Sequence, residues 1–212
     1  MKATTSIIFN ELFERYPKLT SIKEQIWSAY EALNKVVTEN KTVFVCGNGG
    51  SAADSEHIVG ELMKSFKKKR LINNEVYNNL ADYGEGGAKL RQTLEGSIKA
   101  VSLTSHIALS TAFANDKEPS AVFAQQLYGL SERGDALIAL STSGNSENCY
   151  LAAIAAKATG VSVIAMTGRN DSRLSEIADV TIKVPETETF KVQELHLPVY
   201  HCLCAMLEEE NF

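Results

Sequence analysis

At 212 residues, 44% hydrophobic and 22% charged, the chain has the composition of an ordinary soluble globule and the length to bury a sizeable core. A formal net charge of -5 argues against a nucleic-acid binder, which needs clustered Lys and Arg. No apolar run reaches the length of a membrane span, and the opening MKATTSIIFNEL has no long apolar signal region, so a cytoplasmic protein is expected.

Residues 3–38 read as two helices broken at Pro17, with Ile7, Ile8, Leu12 and Phe13, then Ile22, Ile26, Tyr30 and Leu33, recurring at helical spacing. Such helices can pack on a partner subunit or cover their own sheet. Thr42–Cys46 reads as a buried strand. The turn Gly47-Asn48-Gly49-Gly50 follows, with Ser51 at the N-cap of a helix expected to reach Phe66. Strand, glycine turn and helix start make an anion cradle: glycines admit close approach, unpaired amides point outward, and the helix dipole favours negative charge. Along that helix His57 and Glu61 stand at i and i+4, on one face.

Lys67-Lys68-Lys69-Arg70 reads as a solvated basic face or an anion-binding edge. Residues 71–97 are polar and glycine-interrupted, a loop-helix excursion with a short helix over 87–94. Strands follow at 98–103, 135–140, 161–166 and 180–184, interleaved with helices over 105–114, 119–130, 147–159 and 172–177. The last helix, 189–210, contains Pro198 and is expected to kink there. The alternation predicts a parallel sheet with helices on both faces, ligands binding at the carboxyl ends of the strands. The four cysteines, Cys46, Cys149, Cys202 and Cys204, lack metal-site spacing and read as buried reduced thiols.

Two loops are built for anions, Cys46–Ser51 and Ser141–Ser146. GNGGS is neither a dinucleotide fingerprint nor a Walker loop, so no nucleotide cofactor is expected. STSGNS supplies the hydroxyls of Ser141, Thr142, Ser143 and Ser146, which suit a small phosphomonoester that must be released again.

CGNGGSAADSEH (46–57) with Glu61, AND (114–116), STSGNS (141–146), TG (167–168) and QELHLPVYH (193–201) together resemble the sugar isomerase (SIS) domain, in particular the phosphoheptose isomerase family. The likeness runs from about Lys41 to the last helix, omitting 67–97. It implies one SIS domain over 1–212: a flavodoxin-like, three-layer α/β/α sandwich around a five-stranded parallel sheet, with a helical segment at 1–40 and an inserted excursion at 67–97. It further implies conversion of sedoheptulose 7-phosphate to a manno-heptose 7-phosphate for surface-polysaccharide synthesis, through an enediol-type intermediate. By the resemblance, Glu61 is the base and His201 its partner acid or base. The sugar phosphate is bound by Asn48, Gly49, Gly50, Ser51, Asp116, Ser141, Thr142, Ser143, Ser146 and Gln193. His57, Glu61, Gln193 and His201 match residues that bind zinc in some members, and two nitrogens with two oxygens suit that ion. A homotetramer with shared active sites is implied, with no nucleic-acid or membrane partner.

Blander readings stand beside these. His201 can be a core histidine, Asp116 a helix terminator and Asn48 a turn residue; His106 and His196 read as structural. The chain departs from the family in the length of 67–97 and in Phe190-Lys191-Val192, where an Asp-Arg pair commonly precedes Gln193. Both put the sugar in doubt more than the reaction. The alternatives are a non-catalytic SIS module, binding sugar phosphates or a replication initiator, and an isomerase of another sugar phosphate.

Overall fold

The computed structural model describes residues 2–212; Met1, the first residue of the expected domain, lies outside them. Helices α1 (Ala3–Arg15) and α2 (Lys23–Thr38) are joined by a 3-10 turn, Pro17–Ile22. Proline there fixes φ at a turn start and gives up no helical hydrogen bond. Five strands follow: β1 (Val43–Cys46), β2 (Ala100–Ser102), β3 (Ala136–Leu140), β4 (Ser162–Thr167) and β5 (Val180–Lys183). They form one all-parallel sheet in the order β2-β1-β3-β4-β5.

Side-chain parity along the strands divides the core in two. Val43 and Val45 of β1, Ile138 and Leu140 of β3, and Ile164 and Met166 of β4 face α1, α2 and two further helices, α3 (Gly50–Met63) and α10 (Thr189–Asn211). Phe44, Cys46, Leu137, Ala139, Val163 and Ala165 face the opposite layer, which includes α7 (Val122–Leu130), α8 (Glu147–Thr159) and α9 (Arg173–Ile177). The N-terminal helices therefore cover their own sheet: α1 packs on α10, and α2 on α10 and β5. Ile7, 65% exposed, is left on the outer face of α1. All four cysteines are buried and free. Helix α10 runs unbroken through Pro198.

Three expectations need correction. The helix after β1 ends at Met63, not Phe66, because the chain turns extended at Lys64. Beyond it the basic run divides: Lys67 and Lys69 are exposed and Lys68 is half-buried, as a solvated face requires, but the last member is not. Arg70 is 1% exposed and its Nε donates to Glu208 Oε1 at 2.7 Å, while Glu208 also accepts the backbone N–H groups of Phe66, Lys67 and Lys68. The remaining guanidinium nitrogens donate to the carbonyls of Leu62 and Glu61, capping the C-terminal end of α3. Third, the excursion is more helical than its composition predicts. It forms α4 (Asn74–Asn79), a 3-10 turn (Leu80–Tyr83) and α5 (Gly84–Thr93), starting at an Asn73 cap that accepts from Glu75 N. Leu80 O lies so close to Gly87 that no Cβ fits there, which lets the 3-10 turn pack on α5.

Candidate active site

β1 pairs with β2 on one side and β3 on the other, so the chain's progress across the sheet reverses between β1 and β3. Both anion loops emerge there, 47–49 from β1 and 141–146 from β3, at the switch point where such sheets bind ligands. Gly49 has φ +55 and itself caps α3, so the helix starts at Gly50 and Ser51 lies in its first turn. Ser51 is buried and makes no cap; its N–H donates to Asn48 O at 2.9 Å. The N-cap expectation failed because only glycine enters a helix cheaply from positive φ, and it did so two residues early. The first loop is tied to the first turn of α8, just past the second loop, by a reciprocal amide pair, Asn48 with Asn148, at 2.8 Å in each direction. In the second loop Ser141 and Ser146 hydroxyls are 3.0 Å apart, and Ser143 Oγ accepts from Asn145 N. Thr142 O accepts from Gly168 N, fixing the loop against the end of β4.

Helix α3 turns Asp54, His57 and Glu61 to α10, which brings Gln193, Tyr200 and His201 to meet them. His57 Nε2 is 3.2 Å from Glu61 Oε1 and 3.5 Å from His201 Nε2, so the proposed base and acid flank one imidazole within a single chain. Lys64 Nζ donates to Glu61 Oε2 at 3.3 Å, and the Glu61 side chain is 12% exposed. Burial and the neighbouring His57 push the His201 imidazole below its usual range, against the pull of Glu61. His201 is thus half-buried beside His57 rather than sealed in the core. The core histidine is His196, fully buried, its Nε2 3.4 Å from Thr167 O, and burial pushes it down to about 4. His106 pairs with Gln126 Oε1 at 2.6 Å, a structural role as expected.

Gln193 lies over the start of α3, where a Cβ on Gly50 would overlap its amide. Asp116 is exposed and bonds Asn115 at the end of α6 (Ile107–Asp116); among the described residues it makes no hydrogen bond to the rest of the set. Asp54, Tyr200, Lys64 and Asn148 were missed. Asp54 and Glu61 share a helix face at i and i+7, the one signal the sequence offered. Tyr200 OH donates to Asp54 Oδ1 at 3.2 Å and lies 3.0 Å from His57 Nδ1.

Zinc bonds of about 2.0–2.1 Å in a tetrahedron set ligand atoms about 3.3 Å apart, and the two His57 contacts fall near that length. Yet no group of three or more His, Cys, Asp or Glu among the described residues is arranged to hold a metal ion. The side chains are bonded to one another and Gln193 is turned to Gly50, so these side chains would have to turn to hold a metal.

Models of the SIS domain match residues 97–206 and 9–82. The chain is 33% identical over 206 residues to a phosphoheptose isomerase of Nitratiruptor sp., covering 95% of this chain and 97% of that one. It is 38% identical over 173 residues to a phosphoheptose isomerase of Akkermansia muciniphila, covering 82% and 78%. Among solved structures, the phosphoheptose isomerase of Francisella tularensis superposes with a TM-score of 0.75 at 26% identity, covering 99% and 100%. That of Neisseria gonorrhoeae gives 0.74 at 28%, covering 96% of each.

Proposed function

The chain belongs to the phosphoheptose isomerase family of SIS-domain proteins, and from that premise we propose that it converts sedoheptulose 7-phosphate to D-glycero-D-manno-heptose 7-phosphate. The observation that carries this reading is the row Glu61, His57, His201 beside two anion loops at the switch point. The phosphate is held by amides of 48–51 and hydroxyls of 141–146, at the start of α3, where the helix dipole favours it. This places the sugar's other end, C1 and C2, toward the row.

Glu61 takes a proton from C1 while His201 Nε2–H gives its proton to the C2 oxygen, leaving a neutral enediol. Glu61 then returns its proton to C2, and His201 recovers one from the C1 hydroxyl as the aldehyde forms. A His201 whose imidazole is pushed down is neutral at physiological pH and carries a single N–H to donate. The zinc expectation stands as a proposal that elemental analysis and chelation test together: bound zinc with activity lost on chelation supports it.

We further propose a cytoplasmic homotetramer; its assembly is supported by large apolar side chains left open on α6 and α7, with Ile107 74% and Tyr128 71% exposed. No helix among the described residues is long and apolar enough to cross a membrane. The test of function is turnover of sedoheptulose 7-phosphate and its loss in Glu61→Gln. A positioned acid–base group is worth about 10²–10⁴-fold, so kcat should fall at least that far while phosphate binding persists. An active Glu61→Gln enzyme removes Glu61 from the chemistry.

A further inference from the structure

We propose that the cavity at the foot of the 71–97 excursion is a binding site for a nucleoside monophosphate, whose phosphate is taken by Arg91 and Lys69. The cavity has a volume of about 610 Å³, within the range of small-molecule sites. It shares no residue with the two anion loops or with the row Glu61, His57, His201, so it is a second site. Among the described residues no carboxylate lines it. The acid beside the lining residue Leu94 is Glu95, and it accepts from Ser65 N at 2.8 Å.

Arg91 is a cation held in place without a counter-charge. Its guanidinium carbon lies 4.0 Å from the centroid of the Tyr77 ring, and its Nε is buried with no hydrogen-bond partner. The two terminal nitrogens are not enclosed in this way, and among the described residues they too make no hydrogen bond or ion pair. Partly desolvating a guanidinium with no acceptor is unfavourable, and a phosphate that takes two N–H groups side by side offsets the loss with charge-assisted hydrogen bonds. The stack on Tyr77 fixes the plane of the fork beforehand, so little freedom remains to be lost on binding. Lys69, exposed and likewise unpaired, adds a second positive charge from the segment that enters the excursion. Its two basic neighbours are already engaged, Lys68 with Glu209 and Arg70 with Glu208.

The rest of the lining selects what the phosphate is attached to. Leu71, 77% exposed, and Leu94 present apolar surface to the cavity beside the Tyr77 ring. The side-chain amides of Asn74 and Gln92 also line it, make no hydrogen bond among the described residues, and can each donate and accept. A planar ring with polar edges uses both kinds of group, its faces on the apolar and aromatic side chains and its edge on the amides. Inorganic phosphate uses neither, and a simple sugar phosphate leaves the apolar side chains wet.

The test is titration of the full-length protein, without substrate, with adenosine monophosphate, adenosine and inorganic phosphate. Calorimetry reads the affinity, and the arginine Nε–H signals of labelled protein read the place, with the Arg91 signal identified by its loss in Arg91→Gln. Adenosine monophosphate should bind saturably and shift the Arg91 signal. Its Kd should rise at least about tenfold in Arg91→Gln, the worth of one hydrogen bond to a charged group, and stay within twofold in Ser143→Ala. Adenosine and inorganic phosphate should each bind at least about tenfold more weakly, since each lacks one of the two recognised parts. No saturable binding, an unmoved Arg91 signal, or inorganic phosphate binding as tightly as the nucleotide overturns the proposal. So does an Arg91→Gln protein of unchanged affinity, which would put the nucleotide in the anion loops instead. Should Arg91→Gln fail to fold, Arg91→Lys replaces it, because it keeps the charge and removes the fork. None of these readings needs turnover, so a chain inert toward the heptose phosphate would overturn the isomerase reading and leave this site standing.

Discussion

Arg70 and Glu208 form an ion pair whose side chains are 0% and 1% exposed, and the structure says what its loss should cost. In Arg70→Met the Glu208 carboxylate keeps three backbone donors but loses its counter-charge, and the carbonyls of Glu61 and Leu62 lose their caps. Breaking a buried pair from one side costs about 3–5 kcal/mol. For a chain of this size each kcal/mol moves Tm by about 2–4 °C, so a fall of about 6–20 °C is expected. Glu208→Leu should cost more, since it strands three N–H groups and the guanidinium together. The double variant should fall short of the sum of the two, because no charge is then left alone. Calorimetry at one fixed protein concentration reads all three. A shift below about 3 °C for Arg70→Met, or strict additivity, would refute the reasoning.

The same pair sets an acid limit. Burial pushes the Glu208 carboxyl up, but the N–H groups of Phe66 and Lys67 and the Arg70 guanidinium outweigh it and hold it below its ordinary 4.5. A depressed folded-state value means its contribution is fully present above about 4.5 and is lost as pH falls through the folded value. Wild type should therefore lose stability more steeply than Glu208→Gln below that pH in denaturant titrations; parallel curves would sink the claim. Gly50→Ala should keep or raise Tm, alanine being the better helix former, while displacing Gln193 and cutting kcat/KM by about 10²-fold. Steady-state kinetics beside a melting curve separates the two effects. Ser143→Ala should mainly raise KM for the sugar phosphate, and an unchanged KM would remove that hydroxyl from the phosphate site.

The sheet was legible because parallel strands covered on both faces are near-continuous apolar runs, and Ala136–Leu140 is buried at every position. His57 and Glu61 were legible because helical spacing puts them on one face. The end of α3 was not, since GELMKSF continues a helical pattern and only the distant Glu208 recruits Phe66–Lys68 out of it. Arg70 looked solvated for the same reason: four adjacent basic residues read alike until one finds a partner 138 positions away. Tyr200 passed as one more apolar residue beside His201. Its role depends on how α10 is rotated against α3, which no local pattern encodes. The excursion over 71–97 was under-read because its helices pack chiefly on each other and show little buried apolar periodicity.

These particulars converge on the pairing of α3 with α10. Three contacts join the helices in order along both: Gly50 packed under Gln193, then Asp54 and His57 against Tyr200, then the end of α3 through Arg70 to Glu208. Sequence numbers rise together, so the helices run the same way along their contact. Glu61 lies between the second contact and the third, and His201 is next to the second. The spacing of base and acid is therefore set from both ends. Removing one contact leaves Glu61 tethered by the other, whereas removing both frees its turn of helix. Tyr200→Phe and Arg70→Met together should then reduce kcat by more than the product of their separate effects. A double variant that shows only the product would mean that the two contacts hold Glu61 independently, and that the end of α3 is stiff without either.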